Sequence, residues 1–336
     1  MKMKRTLLKF VRFAAVFLVS VLVLSILVFV VARLAPGDPL VAFYGERAEK
    51  LKPAERALAE QKLGLDRPIL EQYVLWLQNA LHGSFGISYK YKMDVLEVIG
   101  ARLPFTLQLG GIGFLLTFFL SLGLGVLCAR HEDGPLDRAL CKIGTVTSCI
   151  PEFWLSLVLI LLFAVNLHWL PSSGAYDVGK ADDLKSRVLH LILPLTVVVT
   201  GHLWYYAYMV RNKMLDEMRM DYVLLAKSKG LGRRAVLYRH CLRNVMPSYL
   251  SIMAISVPHI LGGTYIVESV FSFPGLGTLS YESARYKDYN LLMVLCILSG
   301  ALVIASSLLA QALSEKIDPR MRAKEVIDSW EADTDG

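Results

Sequence analysis

Residues 221–247 read DYVLLAKSKGLGRRAVLYRHCLRNVMP, a polar and strongly basic segment between two long apolar segments. The whole chain is 55% hydrophobic over 336 residues, which is seldom seen in a soluble domain of this length. Its apolar residues cluster into runs of about 20, the length that crosses the hydrocarbon core of a membrane. Composition and patterning therefore predict an all-α protein that crosses a membrane several times.

The basic segment itself predicts two short helices joined at a glycine. Asp221 can cap the first helix by accepting hydrogen bonds from free backbone N–H groups, and its charge suits the positive helix start. Gly230 suits the left-handed position after a helix end, so the first helix should cover residues 222–229. One face of that helix carries Tyr222, Leu225 and Ala226. A second helix should cover residues 233–244 and stop before Pro247.

Two interpretations of this helical pair are open from the pattern alone. The pair could form a compact knob that docks on another protein, since a helix set in a groove is a common way for one protein to hold another. Alternatively, it is an ordinary basic loop that remains on the cytoplasmic side of the membrane and happens to be helical.

Hydropathy predicts about six membrane spans. They cover residues 13–31, 103–129, 143–167, 188–210, 248–270 and 291–313. Residues 211–243 hold nine Lys or Arg against three acids, whereas the proposed external loops are close to neutral. This asymmetry places the basic segment and both chain ends in the cytoplasm, and it accounts for the net charge of +7 without a nucleic-acid partner.

Short-range signals add detail outside and inside the spans. An aqueous external segment should contain helices over residues 53–64 and 69–81, and an extended stretch over residues 84–88. The second span should pack closely through its small residues, which are Gly110, Gly111, Gly113, Gly123 and Gly125. Pro151 should bend the third span.

Eight residues of the basic segment resemble the EAA-loop motif of ABC-importer permeases, and they are Asp221, Ala226, Lys229, Gly230, His240, Leu242, Arg243 and Asn244. The form is similar to that of the dipeptide, oligopeptide and nickel branch. Further matches to that branch follow in the same order along nearly the whole chain, at residues 33–39, 63–68, 85–88, 151–155, 169–171, 262–263, 268 and 273–277. The chain departs from the general motif at Asp221, where the motif has Glu. Pro247 also follows Asn244 about one residue early.

The resemblance implies the type I ABC-importer permease fold and a multi-pass subunit of the bacterial inner membrane. This chain would form half of a translocation pathway beside a second, similar permease. Two ATP-binding subunits would bind ATP and Mg²⁺, and an extracytoplasmic binding protein would deliver nickel, another metal chelate or a short peptide. The chain itself would bind no cofactor and catalyse no reaction.

The resemblance also assigns segments and residues. It divides the chain into an N-terminal transmembrane helix (1–35), an extracytoplasmic segment (36–100), a permease core (101–314) with cytoplasmic coupling helices at 212–247, and a cytoplasmic tail (315–336). The residues expected to couple to the ATPase are Asp221, Tyr222, Leu225, Ala226, Lys229, Gly230, Arg233, His240, Arg243 and Asn244.

Six residues within the predicted spans are candidates for the translocation pathway: His202, Pro258, His259, Gly262, Gly263 and Glu268. Ionisable groups inside a membrane are functional candidates by default. The two histidines could contact a metal cargo, since imidazole suits nickel, or could be neutral and bonded to a neighbouring helix. Pro258 and the two glycines are expected to break the fifth span, either as a hinge or as a static kink.

The alternative from another class is a stand-alone secondary transporter or channel. The chain contains no G-x-x-x-x-G-K-[ST] phosphate loop, so it should not bind ATP itself. It also lacks the H-E-x-x-H and G-x-S-x-G motifs of hydrolases. Proton-coupled transporters usually carry acids or paired charges inside their spans, but here only Glu152 and Glu268 stand out. The energy source is therefore expected on a partner chain.

Overall fold

The computed structural model describes residues 2–35, 39–62 and 64–317. Outside these residues lie three residues of the predicted exit from the first helix, Leu63 of the predicted external segment, and most of the predicted tail. Two compact units divide the chain. The first combines Met1–Leu107 with Phe273–Ile304, and the second combines Gln108–Ser272 with Ala305–Gly336.

The first unit consists of helices and short connections. Its helices are α1 (Lys2–Leu34), α2 (Pro39–Tyr44), a 3₁₀ turn (Gly45–Lys50), α3 (Pro53–Lys62), α4 (Ile69–Leu81), α5 (Val95–Thr106), α14 (Leu276–Arg285) and the first part of α15 (Tyr289–Ile317). The predicted helix over residues 69–81 is confirmed as α4. The predicted helix over residues 53–64 ends two residues early at Lys62, and Gly64 has a positive φ of 66°.

Residues that connect α4 to α5 are ordered by a buried acid. The Asp288 carboxylate accepts hydrogen bonds from the Ser88 hydroxyl at 2.5 Å and from the Lys90 backbone N–H at 3.0 Å. Instead of a strand over residues 84–88, the structure has one isolated antiparallel bridge between Ile87 and Asp94. Hydrogen bonds to Asp288 therefore hold residues 88–90 in place of the hydrogen bonds that a neighbouring strand would supply.

The second unit holds the remaining helices. They are α6 (Ile112–Arg130), α7 (Pro135–Ser148), α8 (Glu152–Leu159), α9 (Leu184–Met218), α10 (Asp221–Ser228), α11 (Arg233–Ala235), α12 (Leu242–Gly262) and α13 (Tyr265–Val270). Three π-helical segments join or extend these helices, at Leu107–Gly111, Ile160–Asn166 and Val236–Cys241.

Within the described residues, five helices are long and apolar enough to cross a membrane, or six if one bent pair counts as a single span. The five cover Val11–Leu34, Val95–Arg130, Leu184–Met218, Arg233–Val270 and Tyr289–Leu313. The all-α fold with about six spans is therefore confirmed.

The third span differs from the prediction of one helix bent at Pro151. Helix α7 ends at Ser148, α8 begins at Glu152, and their axes differ by 99°. Pro151 has extended backbone angles (φ −62°, ψ 138°) and no N–H group to continue a helix. The proline therefore starts a new helix here and does not merely bend one.

The prediction that a helix stops before Pro247 is wrong. The helical run that begins at Arg233 continues through Pro247 and Pro258 to Gly262. A proline removes one backbone hydrogen bond, but buried side chains on both sides of it, such as Val245 and Tyr249, keep the helix packed. The predicted break of the fifth span is confirmed at Gly262 and Gly263, since α12 ends at Gly262 and α13 starts at Tyr265. The break predicted at Pro258 is wrong, because Pro258 lies inside α12.

Close packing through glycine is confirmed for α6 against α9. A Cβ on Gly125 would lie 2.6 Å from Val210 Cβ and 2.7 Å from the Ala207 carbonyl oxygen. A Cβ on Gly113 would lie 2.9 Å from Val198 Cγ1. By contrast, Gly111 and Gly123 have no heavy atom near the Cβ position, so the closeness depends on the helix face.

We predict that Gly125→Ala destabilises the protein by about 1–3 kcal/mol, because the added methyl group meets a backbone carbonyl that cannot move aside. The measurement is the thermal unfolding midpoint of the purified chain in detergent. Gly123→Ala is the matched control on the same helix and should leave the midpoint unchanged or slightly higher. Equal midpoints for the two variants would contradict the close contact.

Candidate functional site

The turn after helix α10 caps the C-terminal end of that helix. Gly230 has a φ of 79° in the left-handed region, as predicted. The Gly230 N–H donates to the Lys227 carbonyl at 2.9 Å, and the Leu231 N–H donates to the Ala226 carbonyl at 3.2 Å. These two bonds form a Schellman motif, which satisfies the last carbonyls of the helix. The helix end is therefore fixed by backbone geometry that only glycine adopts without strain.

The start of α10 differs from the prediction. Met220, with a ψ of 149°, is the N-cap residue, and Asp221 is the first helical residue. No side-chain hydrogen bond caps this helix. The Asp221 carboxylate still lies in the first turn, where its charge is favourable next to the positive end of the helix dipole.

The two sides of α10 have different surroundings. Val223 and Ala226 are buried, whereas Leu224 and Leu225 are 63% and 57% exposed. Of the three residues predicted to share one face, Ala226 is buried, Tyr222 is half-buried and Leu225 is exposed. The helix therefore packs through the small residues and presents its two leucines outward.

Polar side chains attach α10 to its neighbours. The Tyr222 hydroxyl donates to Glu217 Oε2 at 2.5 Å, and Asn244 Nδ2 donates to the same oxygen at 3.2 Å. Burial and the hydrogen bond to Glu217 raise the pKa of Tyr222, so its hydroxyl remains a donor at neutral pH. Two of the predicted coupling residues thus meet on one acid, which the sequence analysis did not single out.

A buried ion pair holds α7 against α9 near this site. Arg211 Nε and Nη2 donate to the two oxygens of Asp137 at 2.8 and 2.6 Å, and the Asp133 backbone N–H adds a bond at 3.0 Å. Asp137 is 2% exposed. Paired, hydrogen-bonded charges of this kind fix one geometry, and removal of one partner leaves a costly buried charge. The sequence carries no sign of this pair, because its members lie 74 residues apart.

The remaining predicted coupling residues lie around the same helices. Arg233 Nη2 donates to the Arg130 carbonyl at 2.7 Å, which attaches the start of α11 to the end of α6. Lys229 and Arg243 are exposed, and His240 is partly buried in the π-helical segment. We call α10, its glycine turn, α11 and that segment (residues 221–241) the 221–241 hairpin.

The candidate pathway residues are dispersed over α9, α12 and α13. His202 Nδ1 lies 3.0 Å from the Val198 carbonyl, while His259 is exposed and Pro258 lies inside α12. Glu268 is fully buried and accepts a hydrogen bond from the Thr264 hydroxyl at 2.8 Å. Within the described residues, no group of three or more His, Cys, Asp or Glu side chains could hold a metal ion.

Glu152 of α8 lies against Gly201 of α9, the residue before His202. Its Oε1 is 2.7 Å from the position that a Cβ on Gly201 would occupy. The structure therefore brings one of the two acids noted in the spans next to one of the two histidines, which the sequence could not show because the residues belong to different helices.

Two family models match the chain. The model described as "Binding-protein-dependent transport system inner membrane component" matches residues 121–323, and the model of its N-terminal part matches residues 3–110. The first covers more than half of the chain.

Curated relatives match over most of both lengths. The oligopeptide transport system permease protein AppB of Bacillus subtilis is 35% identical over 299 residues, covering 89% of this chain and 94% of the relative. The oligopeptide transport system permease protein OppB of Salmonella typhimurium is 32% identical over 304 residues, covering 90% of this chain and 95% of the relative.

A solved structure supports the fold. The chain is similar to one in the inward-facing MetNI methionine ABC transporter, with a TM-score of 0.51 and 18% identity, over 65% of this chain and 97% of the other. From the two family models and these relatives, the chain belongs to the family of binding-protein-dependent transport system inner membrane components, the permease subunits of ABC importers.

Proposed function

We propose that this chain forms half of the translocation pathway of a peptide importer and that its 221–241 hairpin receives motion from an ATP-binding subunit. A second permease completes the pathway, and a binding protein delivers the cargo from outside. ATP and Mg²⁺ bind to the ATP-binding subunits. Both chain ends lie in the cytoplasm of a bacterial cell, on the side where the hairpin meets its partner.

The observation that carries the coupling role is the contrast between the two sides of α10. Val223 and Ala226 on its inner side are buried, and Tyr222 donates a hydrogen bond to Glu217 of α9, whereas its outer side presents Leu224 and Leu225. Two adjacent exposed leucines on a capped helix suit a hydrophobic cleft on another protein. A well-anchored helix can also transmit a push as a rigid body.

The cargo assignment depends on the curated relatives. The relatives named above are oligopeptide permeases, whereas the sequence analysis also considered nickel and metal chelates. Short peptides are therefore the cargo that we propose.

We expect the double variant Leu224→Asp/Leu225→Asp to lose its ATP-binding subunits. Each buried leucine contributes about 1.5–3 kcal/mol, so binding should weaken by more than about tenfold. Co-purification from membranes that contain the whole importer measures this loss. Leu70→Asp is the matched control, because Leu70 is a 79% exposed leucine on α4, outside the hairpin. Unchanged co-purification of the double variant would contradict the docking role of α10.

Replacement of Gly230 should uncouple ATP hydrolysis from transport. A side chain at a φ of 79° costs about 1–2 kcal/mol, so Gly230→Val should loosen the turn after α10. The measurement is peptide uptake per ATP hydrolysed by the reconstituted importer. Gly232→Ala serves as the control, because Gly232 has an ordinary φ of −65° and no atom near its Cβ position. Equal coupling ratios in both variants would remove the requirement for a rigid turn.

The cargo is tested by uptake into proteoliposomes that hold the complete importer and its binding protein. When ATP is supplied on the side of the membrane where the ATPases lie, labelled peptides of two to five residues should accumulate on that side. Under the same conditions ⁶³Ni²⁺ should not accumulate. Uptake of nickel in place of peptide would reverse the cargo assignment. Uptake by this chain without any ATPase would instead favour the stand-alone transporter.

A further inference from the structure

Glu217 is an acid near the end of α9 that no step of the sequence analysis used. Its Oε2 accepts a hydrogen bond from the Tyr222 hydroxyl at 2.5 Å and another from Asn244 Nδ2 at 3.2 Å. Tyr222 belongs to α10, and Asn244 belongs to α12. One carboxylate oxygen therefore joins three helices.

The geometry suits a carboxylate at this position. Both donors are neutral, and hydrogen bonds to an ionised acceptor are roughly twice as strong as those between neutral groups. The Tyr222 hydroxyl also lies near the thiol of Cys241, a fully buried residue of the π-helical segment. Glu217 thus orients a hydroxyl that lies next to that segment.

The three joined helices differ in where they lead. Helix α10 presents the exposed leucines, α9 runs 35 residues back through the unit, and α12 continues from the hairpin into the fifth span. The contacts between these three helices determine whether a displacement of α10 also moves α9 and α12 or moves only the hairpin. Transmission over such a distance requires contacts that are stiff in both states.

We propose that Glu217 is a positioning residue for energy coupling, which holds α10, α9 and α12 together so that motion received by α10 reaches both long helices. This inference rests on the proposed function, because it assumes that α10 contacts an ATP-binding subunit. Glu217 itself touches neither the ATPase nor the cargo in this scheme. It acts through Tyr222 and Asn244.

The test uses the complete importer in proteoliposomes and compares Glu217→Ala, Glu217→Gln, Tyr222→Phe and the double variant Glu217→Ala/Tyr222→Phe. The readouts are co-purification of the ATPases, ATP hydrolysis, and peptide uptake per ATP. We expect Glu217→Ala to retain its ATPases and to lose at least about tenfold in uptake per ATP, because two hydrogen bonds to a charged group are removed. Glu217→Gln should retain part of the coupling, since the amide oxygen still accepts both bonds.

The double variant shows whether Glu217 and Tyr222 act through one shared hydrogen bond or through independent contacts. Tyr222→Phe alone should reduce uptake per ATP by about threefold, and the double variant should be no worse than Glu217→Ala, because the two residues act through one bond. Asp216→Ala is the matched control, an exposed acid one residue away, and should couple like the wild type. A purely structural role would lower the yield or the unfolding midpoint without changing uptake per ATP in the molecules that assemble.

The outcomes distinguish this inference from the proposed function. Wild-type coupling in Glu217→Ala and Tyr222→Phe overturns the inference and leaves the proposed function standing. If Glu217→Ala does not assemble, Tyr222→Phe decides, because it removes one oxygen atom and keeps the ring. A wild-type importer that neither binds ATPases nor moves peptide overturns both.

Discussion

The close contact between α6 and α9 is the interaction on which the described site depends. At Gly125 the two helices approach so closely that a single methyl group would collide with Val210 and with the Ala207 carbonyl. Dispersion forces between helices are individually small, and in lipid they must replace the hydrophobic driving force that water supplies. Such contacts favour one relative position of two long helices. The C-terminal part of α9 then places Arg211 beside Asp137 of α7 and Glu217 beside Tyr222 of the 221–241 hairpin.

The hairpin has little core of its own. Its buried residues on α10 are small, and Val236, Leu237 and Cys241 of the π-helical segment contribute most of the remaining buried surface. The position of the hairpin is therefore fixed mainly by hydrogen bonds at its edges. The Asp137–Arg211 pair has the same role for α7, whose axis diverges sharply from that of α8. Charges close to the polar ends of a membrane bundle can be paired at lower cost than charges at its centre.

Sequence patterns were sufficient for features that depend on neighbouring residues. The spans, the helix over residues 69–81, the left-handed Gly230 and the break after Gly262 all follow from local composition and backbone preference. Features that depend on tertiary contacts could not be predicted from the sequence. Local preference predicted that Pro247 would end a helix, but packing of Val245 and Tyr249 overrides it. Glu217 carries no signal of its own, because an acid among basic residues becomes distinctive only when Tyr222 and Asn244 approach it.

The π-helical segment between α11 and α12 has a consequence for insertions and deletions. A π turn accommodates one more residue than an α turn, and each residue of an α-helix rotates the chain by about 100°. Loss of one residue between Val236 and Cys241 could convert this segment to regular α-helix without breaking the run. Because the wider turn absorbs the extra residue, the side chains from Leu242 to Gly262 would keep about their present directions after such a loss. A deletion within the regular helix α12 has no such turn to absorb it, so it would rotate every following side chain of the fifth span by about 100°.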